Sequence, residues 1–187
     1  MTQHETEQAI RAALRGEQTA YRRLFEAHCE AVYATVQRLA WHTEAAEELT
    51  QDVFLKAFGA LQTHDAARAT FATWLQRIAY NTGVSYLRRK APPDLLPVDD
   101  DLLADETVYG DDIGTIFADE SEDNIERLLR AVDKLPPEEQ HILTLRYHDN
   151  LSLQEMGYIL SVSAPALSNR LQRIRKKLHQ QLTSPAL

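Results

Sequence analysis

Arg77, Asn81, Val84 and Arg88 recur at i, i+4, i+7 and i+11, and Arg89 and Lys90 follow them. On a helix that spacing draws one stripe. Arginine neutralises phosphate, asparagine can pair with a base edge, and rings such as Phe71, Trp74, Tyr80 and Tyr86 can stack on unpaired bases. The chemistry of this stripe is therefore nucleic-acid recognition. Ala166, Asn169, Arg170, Arg173 and Lys177 make a second cationic, amide-bearing stripe near the C-terminus. A third set is of opposite character. Glu48, Gln51, Asp52 and Leu55 fall on one side of a helix, and an exposed leucine among acids is what a protein-binding surface presents. Each stripe has a plainer alternative, a solvated charged face above an apolar core. The sequence offers no metal-ligand cluster, nucleophile–base arrangement or phosphate loop, so neither catalysis nor a cofactor is expected. The neighbours His28 and Cys29 point about 100° apart on a helix, which suits local packing better than a metal site.

The elements that must hold these residues read as helices. Ala46, Leu49, Val53, Ala57 and Leu61 recur at helical spacing, with Thr43 in position to cap their helix and Glu44, Glu47 and Glu48 at its positive end. From about Phe71 to Lys90, Phe71, Trp74, Leu75, Ile78 and Thr82 form the apolar side beside the cationic stripe. Ahead of this pair, a short helix includes Ile10 and Leu14 and stops at Gly16. A longer helix carries Tyr21, Leu24, Phe25, His28, Val32, Val36 and Leu39 as a core stripe, and Arg22, Arg23 and Arg38 are solvated. Together these helices make a bundle ending near Lys90.

Pro92 and Pro93 stop the helical signal, Pro97 discourages its return, and residues 91–123 read as a flexible acidic linker. Helical periodicity resumes near Asn124 with Ile125, Leu128, Leu129 and Val132. Pro136-Pro137-Glu138 then opens a helix in the position proline tolerates. Ser152 and Glu155 form a capping box, a short helix ends near Leu160, and Ser163 caps a last helix burying Leu167, Leu171, Ile174, Leu178 and Leu182. Two helices joined by a turn of three or four residues predict a helix-turn-helix, with the second cationic stripe on its outer side. The expected fold class is all-α: two helical domains, residues 1–90 and 124–187, joined by residues 91–123.

Charge supports the same division. The 187 residues carry a net charge of −8. Residues 91–123 hold twelve of the 28 acids and no Lys or Arg, which leaves the rest of the chain at +4. Hydrophobic content of 44% supports packed cores, and six Gly and seven Pro suit a mostly helical chain. The single cysteine excludes an intramolecular disulfide framework. No apolar run approaches a membrane span and the first ten residues lack the pattern of a signal peptide, so a cytoplasmic protein without membrane insertion is expected.

The run AEELTQDVFLKAF, followed by FATWLQRIAYNTGVSYLRR, closely resembles the second region of bacterial RNA polymerase sigma factors of the extracytoplasmic-function (ECF) group in the sigma-70 family. The family pattern is approximately A-E-D-L-x-Q-E-V-F-L, then F-x-x-W-L-x-R-I-A-x-N and a terminal L-R-R. Gln51, Phe54, Trp74, Arg77, Asn81, Arg88 and Arg89 match it, and Glu48 and Asp52 stand for Asp and Glu with charge retained. The segment from LPPEEQHILTLRYHDNLS onward resembles the sigma region that reads the −35 promoter element. It departs from the pattern at Gly157, where a small Ala is usual, and at Ser161, where Gly usually makes the turn. Ala164-Pro165-Ala166 replaces a run like E-G-T, and Ser168 replaces a common Lys. These changes leave the fold credible and put the usual −35 preference in question.

The resemblance implies a transcription initiation factor, not an enzyme, that binds RNA polymerase core and nucleates promoter melting. It assigns Trp74, Arg77, Asn81, Arg88 and Arg89 to the −10 element, and Asn169, Arg170, Arg173 and Lys177 to the −35 element. Glu48, Gln51, Asp52 and Leu55 would face the clamp helices of the polymerase β′ subunit. The loop Gln62–Thr70 would help capture a base flipped from the −10 element, with His64, Asp65 and Arg68 as candidates for its lining, and a plain surface loop fits the same residues equally well. The linker would thread a basic polymerase channel near nascent RNA, and an anti-sigma factor would mask both domains. Two alternatives use the same residues: an autonomous helix-turn-helix regulator that binds duplex DNA without polymerase, and a helical interaction module with solvated basic faces.

Overall fold

The computed structural model describes residues 1–40, 42–90 and 122–183. The chain divides into an N-terminal and a C-terminal compact unit, each taken here by itself. All regular structure among the described residues is helical. The linker expected over residues 91–123 lies outside them, apart from Glu122 and Asp123, which open a helix.

Among the described residues, the N-terminal unit contains four α-helices: α1 (Gln3–Leu14), α2 (Gln18–Leu39), α3 (Thr43–Gly59) and α4 (Phe71–Lys90). Helix α1 starts on a reciprocal capping box, in which the Thr2 hydroxyl accepts from Glu5 N–H and the Glu5 carboxylate accepts from Thr2 N–H. Bonds to the carboxylate from the Thr2 backbone N–H and, second, the Thr2 side chain hold the Glu5 carboxyl below its usual range. Gly16, at φ +89°, turns the chain into α2. The core is built from Leu24, Val32 and Val36 of α2, Val53 and Phe54 of α3, and Phe71, Trp74 and Leu75 of α4. Helix α4 comes close to α2, because a Cβ at Gly83 would stand 2.6 Å from Leu39 Cδ1.

Several details differ from the periodicity. The residue before α3 is His42, so Thr43 is the first helical residue rather than the cap. Leu14, at the last turn of α1, is 52% exposed, and Ala13 takes the inward position there. Phe25 sits at the rim of the core, where its ring lies 4.7 Å from that of Phe54.

The C-terminal unit contains α5 (Glu122–Asp133), α6 (Pro137–Leu143), a π-helical turn (Thr144–His148), α7 (Leu153–Leu160) and α8 (Ala164–Thr183). Pro136 and Pro137 begin α6 as expected, and the Gln140 carboxamide closes the preceding turn on the Leu135 carbonyl at 2.8 Å. The expected α5 stripe is only partly inward. Ile125 and Leu129 are exposed, while Ala131 and, just past the helix, Leu135 are buried. The core of this unit is Ile142, Leu145, Met156, Ile159, Leu167, Leu171, Ile174 and Leu178. Arg127 ties α5 to the far end of α8 by donating to the Leu182 carbonyl at 2.7 Å.

The helix-turn-helix is α7, its turn and α8. Ser152 and Glu155 form the expected capping box, and the Ser152 hydroxyl, donating to the carboxylate at 2.7 Å, followed by the Ser152 N–H, holds the Glu155 carboxyl below its usual range. At the other end of α7, Val162 N–H donates to the Gly157 carbonyl at 3.1 Å while Ser161 adopts φ +59°. That is a Schellman ending with serine in the left-handed position normally filled by glycine. A Cβ at Gly157 would stand 2.6 Å from the Val162 carbonyl oxygen. The two departures therefore sit in one turn: glycine has been lost where the chain turns left-handed and gained where a carbonyl presses on the helix.

Candidate nucleic-acid interface

Helix α4 begins where Thr70 caps it, its hydroxyl accepting from Thr73 N–H at 3.2 Å. One side then enters the core, with Phe71, Trp74, Leu75, Ala79, Thr82 and Leu87 buried. On the other side, Asn81, Arg88 and Arg89 are exposed and Arg77 is half-buried. These four share the outer part of the helix, and Arg89 is steadied by donating to the Ser85 carbonyl at 3.2 Å. Val84, drawn into this stripe by spacing, is buried. Three of the cations, Arg88, Arg89 and Lys90, fill the last turn, where they also complement the helix dipole.

The aromatic residues mostly face inward. Trp74 is 8% exposed and Tyr80 is 7% exposed, so neither offers an open stacking face. Trp74 is packed instead against Phe71, at 5.7 Å between ring centroids, and against His64, at 5.4 Å. It is scaffold beneath the polar stripe.

The loop before α4 is built, not slack. A 3-10 turn (Leu61–Thr63) buries Leu61, and the Asp65 carboxylate accepts from Ala67 N–H at 3.0 Å. The His64 ring donates from Nε2 to the Ala69 carbonyl at 3.2 Å, since a carbonyl can only accept. That ring therefore belongs to the loop's internal framework, whereas Asp65 and Arg68 are exposed.

On α3, Ala46, Leu49, Thr50, Val53, Phe54 and Ala57 are buried, leaving Glu48, Gln51 and Asp52 exposed on another side. Leu55 is 72% exposed among them. An apolar side chain left this open gains little from the fold, and burial by a partner would contribute.

In the C-terminal unit, Asn169 and Arg173 are exposed and Arg170 is half-buried along α8. Lys177 is committed to an ion pair with Glu139 of α6. Its ammonium helps tie α6 to α8, a role that spacing alone did not reveal. Lys176, omitted from the stripe, is exposed on the side opposite Leu167, Leu171, Ile174 and Leu178. Counting outward from those four buried residues would have selected Lys176 before Lys177. Arg175 lies on another flank, where it donates to the Tyr147 hydroxyl at 2.8 and 3.1 Å.

Comparison with known proteins agrees with this geometry. The Sigma-70 region 2 model matches residues 24–92, which run from within α2 through α4. The Sigma-70, region 4 model matches residues 125–178, which include the helix-turn-helix. The chain is 27% identical over 177 residues to the ECF RNA polymerase sigma factor SigW of Bacillus subtilis (strain 168), covering 92% of this chain and 94% of that protein. Among solved structures, CnrH in complex with the cytosolic domain of CnrY has a TM-score of 0.63 at 22% identity, covering 98% of each chain. The sigma factor RpoE of Bartonella quintana, in complex with the anti-sigma factor NepR, has a TM-score of 0.58 at 16% identity, covering 89% of this chain and 98% of that one. With both regions matched in order over most of its length, this chain belongs to the ECF group of the sigma-70 family.

Proposed function

We infer that this chain is a sigma factor that binds RNA polymerase core, directs it to promoters through −35 and −10 elements, and nucleates strand separation. One observation carries the reading. Two cationic, amide-bearing helix faces lie in units matching different sigma regions, and a separate acidic face on α3 holds a largely exposed leucine. A duplex-binding regulator would need only the helix-turn-helix and has no use for the other two surfaces.

In this reading Asn81, Arg77, Arg88 and Arg89 engage the −10 element, with Trp74 as their scaffold. Opening duplex forfeits roughly 1.4 kcal/mol per stacked step, so contacts to the freed strand must compensate. Asn169, Arg170 and Arg173, joined by Lys176, meet the −35 element, while Lys177 acts mainly through Glu139. Glu48, Gln51, Asp52 and Leu55 dock on the clamp helices of the β′ subunit. The domains run over residues 1–90 and 124–187, and the acidic segment between them lies in a basic polymerase channel. An anti-sigma partner is proposed by extension from RpoE, whose solved complex contains one. The site of action is cytoplasmic, where polymerase works; among the described residues no helix is long and apolar enough to cross a membrane. The role is regulatory, with no reaction catalysed by this chain itself.

Gel shifts on promoter duplex with and without core polymerase test the reading. A specific complex should form only with core. Tight specific binding by the chain alone, unchanged by core, would favour an autonomous regulator.

A further inference from the structure

Between α2 and α4, most of the contact is apolar, and apolar burial is non-directional: it holds two helices together without fixing their rotation. One polar feature in this interface is directional. The carboxamide of Gln76 reaches across to α2, where Nε2 donates to the Ala31 carbonyl at 3.2 Å. Its Oε1 accepts from the Thr35 hydroxyl at 2.6 Å. The orientation is fixed by chemistry, because the Ala31 carbonyl can only accept. The Thr35 hydroxyl also stands 3.1 Å from that carbonyl, but it has one proton and the contact to Gln76 is the shorter. Thr35 is buried and its bond to Gln76 is partly shielded from water, whereas the bond to the Ala31 carbonyl is exposed.

The clasp has a second fixed point. Gly83, two turns further along the same side of α4, lies close against Leu39 of α2. Gly83 lets Leu39 come close to α4, and Gln76 with Thr35 adds a directional contact beside it. Arg77 directly follows the clasp, and Asn81 and Arg88 lie roughly 120° around the helix from it. A helix with side chains is about 10–12 Å across, so a rotation of about 20° would move its outer groups by roughly 2 Å, enough to break a hydrogen bond.

We propose that Gln76 and Thr35 are positioning residues for promoter opening: their clasp fixes the rotation of α4, and hence the aim of Arg77, Asn81 and Arg88 at the −10 strand. The proposal rests on the reading of that stripe as a DNA contact. In the family pattern F-x-x-W-L-x-R, Gln76 occupies an unspecified position, so the resemblance itself does not assign the clasp.

The test uses the full chain with core polymerase. Gln76→Met and Thr35→Val keep side-chain volume and remove the bonds, and Thr35→Ser keeps the hydroxyl. Val36→Ala serves as a control that loosens the same buried α2 face without touching the clasp. Permanganate reactivity of promoter thymines reads opening on duplex and on a pre-melted template, and competition for core reads binding. Gln76→Met and Thr35→Val should each slow duplex opening roughly five- to tenfold, the loss expected when about one hydrogen bond no longer aligns the site. The double variant should be no worse than Gln76→Met alone, which already removes both bonds of the clasp. Thr35→Ser should retain opening, core competition should not change, and the pre-melted template should largely erase the defect.

Wild-type opening by Gln76→Met, alongside a defective Asn81→Ala, would overturn the clasp and leave the DNA reading intact. Wild-type opening by Asn81→Ala and Arg77→Ala would overturn that reading and the clasp with it. If Val36→Ala, at matched loss of thermal stability, slows opening equally, Gln76 is ordinary packing and the proposal fails.

Discussion

Leu55 provides the clearest quantitative test of polymerase docking. With 72% of the residue still exposed, the fold has used little of its apolar surface. Fully burying a leucine contributes about 1.5–3 kcal/mol, so the portion left for a partner corresponds to roughly 1–2 kcal/mol. Asp52, exposed on the same side of α3, would add about 0.2–1 kcal/mol if paired with a basic partner group, and reversing its charge adds a penalty of similar size. Asp52→Lys with Leu55→Ala should therefore weaken core binding by roughly 2–3 kcal/mol, or about 30- to 150-fold. Helicity and thermal stability should hardly move, because neither side chain is buried and both replacements are good helix formers. Competition against a labelled reference sigma factor for limiting core measures the effect. Wild-type competition by the double variant would refute docking through α3, and an equal loss of folding stability would mean that the variant reports on the fold instead.

Other expectations follow from single contacts. Arg173→Ala and Lys176→Ala should each reduce the salt slope of promoter binding by about 0.9, one phosphate contact apiece, whereas Lys177→Ala should leave the slope nearly unchanged and loosen α6 on α8; a titration from low to moderate salt separates them. Ser161→Gly should raise the stability of the C-terminal unit by about 0.5–1 kcal/mol by relieving the left-handed serine, and Gly157→Ala should lower it by about 1–3 kcal/mol through the clash with the Val162 carbonyl; urea melts of the two variants should move in opposite directions. Burial lowers the pKa of His28, with the chain's amino terminus a lesser contributor, so the unfolded chain gains a proton before the folded one does. The stability this group contributes is present above the ordinary histidine range and is lost as pH falls through that range toward the lower folded value. His28→Leu should flatten the corresponding part of the thermal-stability profile; an unchanged profile would discount His28 as its source.

Much of this architecture was legible because helical periodicity is a local signal. Phe71, Trp74, Leu75 and Thr82 marked the buried side of α4, and Ser152 with Glu155 marked the start of α7, from residues a few positions apart. Long-range pairing was not legible. Lys177 meets Glu139 across 38 residues, and Thr35 meets Gln76 across 41, separations at which sequence spacing carries no geometric information. Errors of a different kind arose at the edges of stripes. Val84 is buried although it lies across α4 from Leu75, where spacing gives no sign of burial, Leu14 and Ile125 lie near helix ends where fewer neighbours pack, and Leu129 is exposed in the middle of its helix. The π-helical turn at Thr144–His148 has no simple periodic signature, and its backbone pairing, Asp149 N–H to the Thr144 carbonyl at 3.0 Å, is visible only in the fold.

The central claim is that this chain opens promoters only as part of a polymerase holoenzyme. Permanganate footprinting of a promoter selected by the holoenzyme, with the chain alone, core alone and both together, tests it most directly. The account predicts reactive thymines in the −10 region only when both are present, and loss of that reactivity on duplex, but much less on a pre-melted template, when Asn81 and Arg77 are replaced by alanine. Specific duplex binding by the chain alone, with no reactive thymines when core is added, would contradict it.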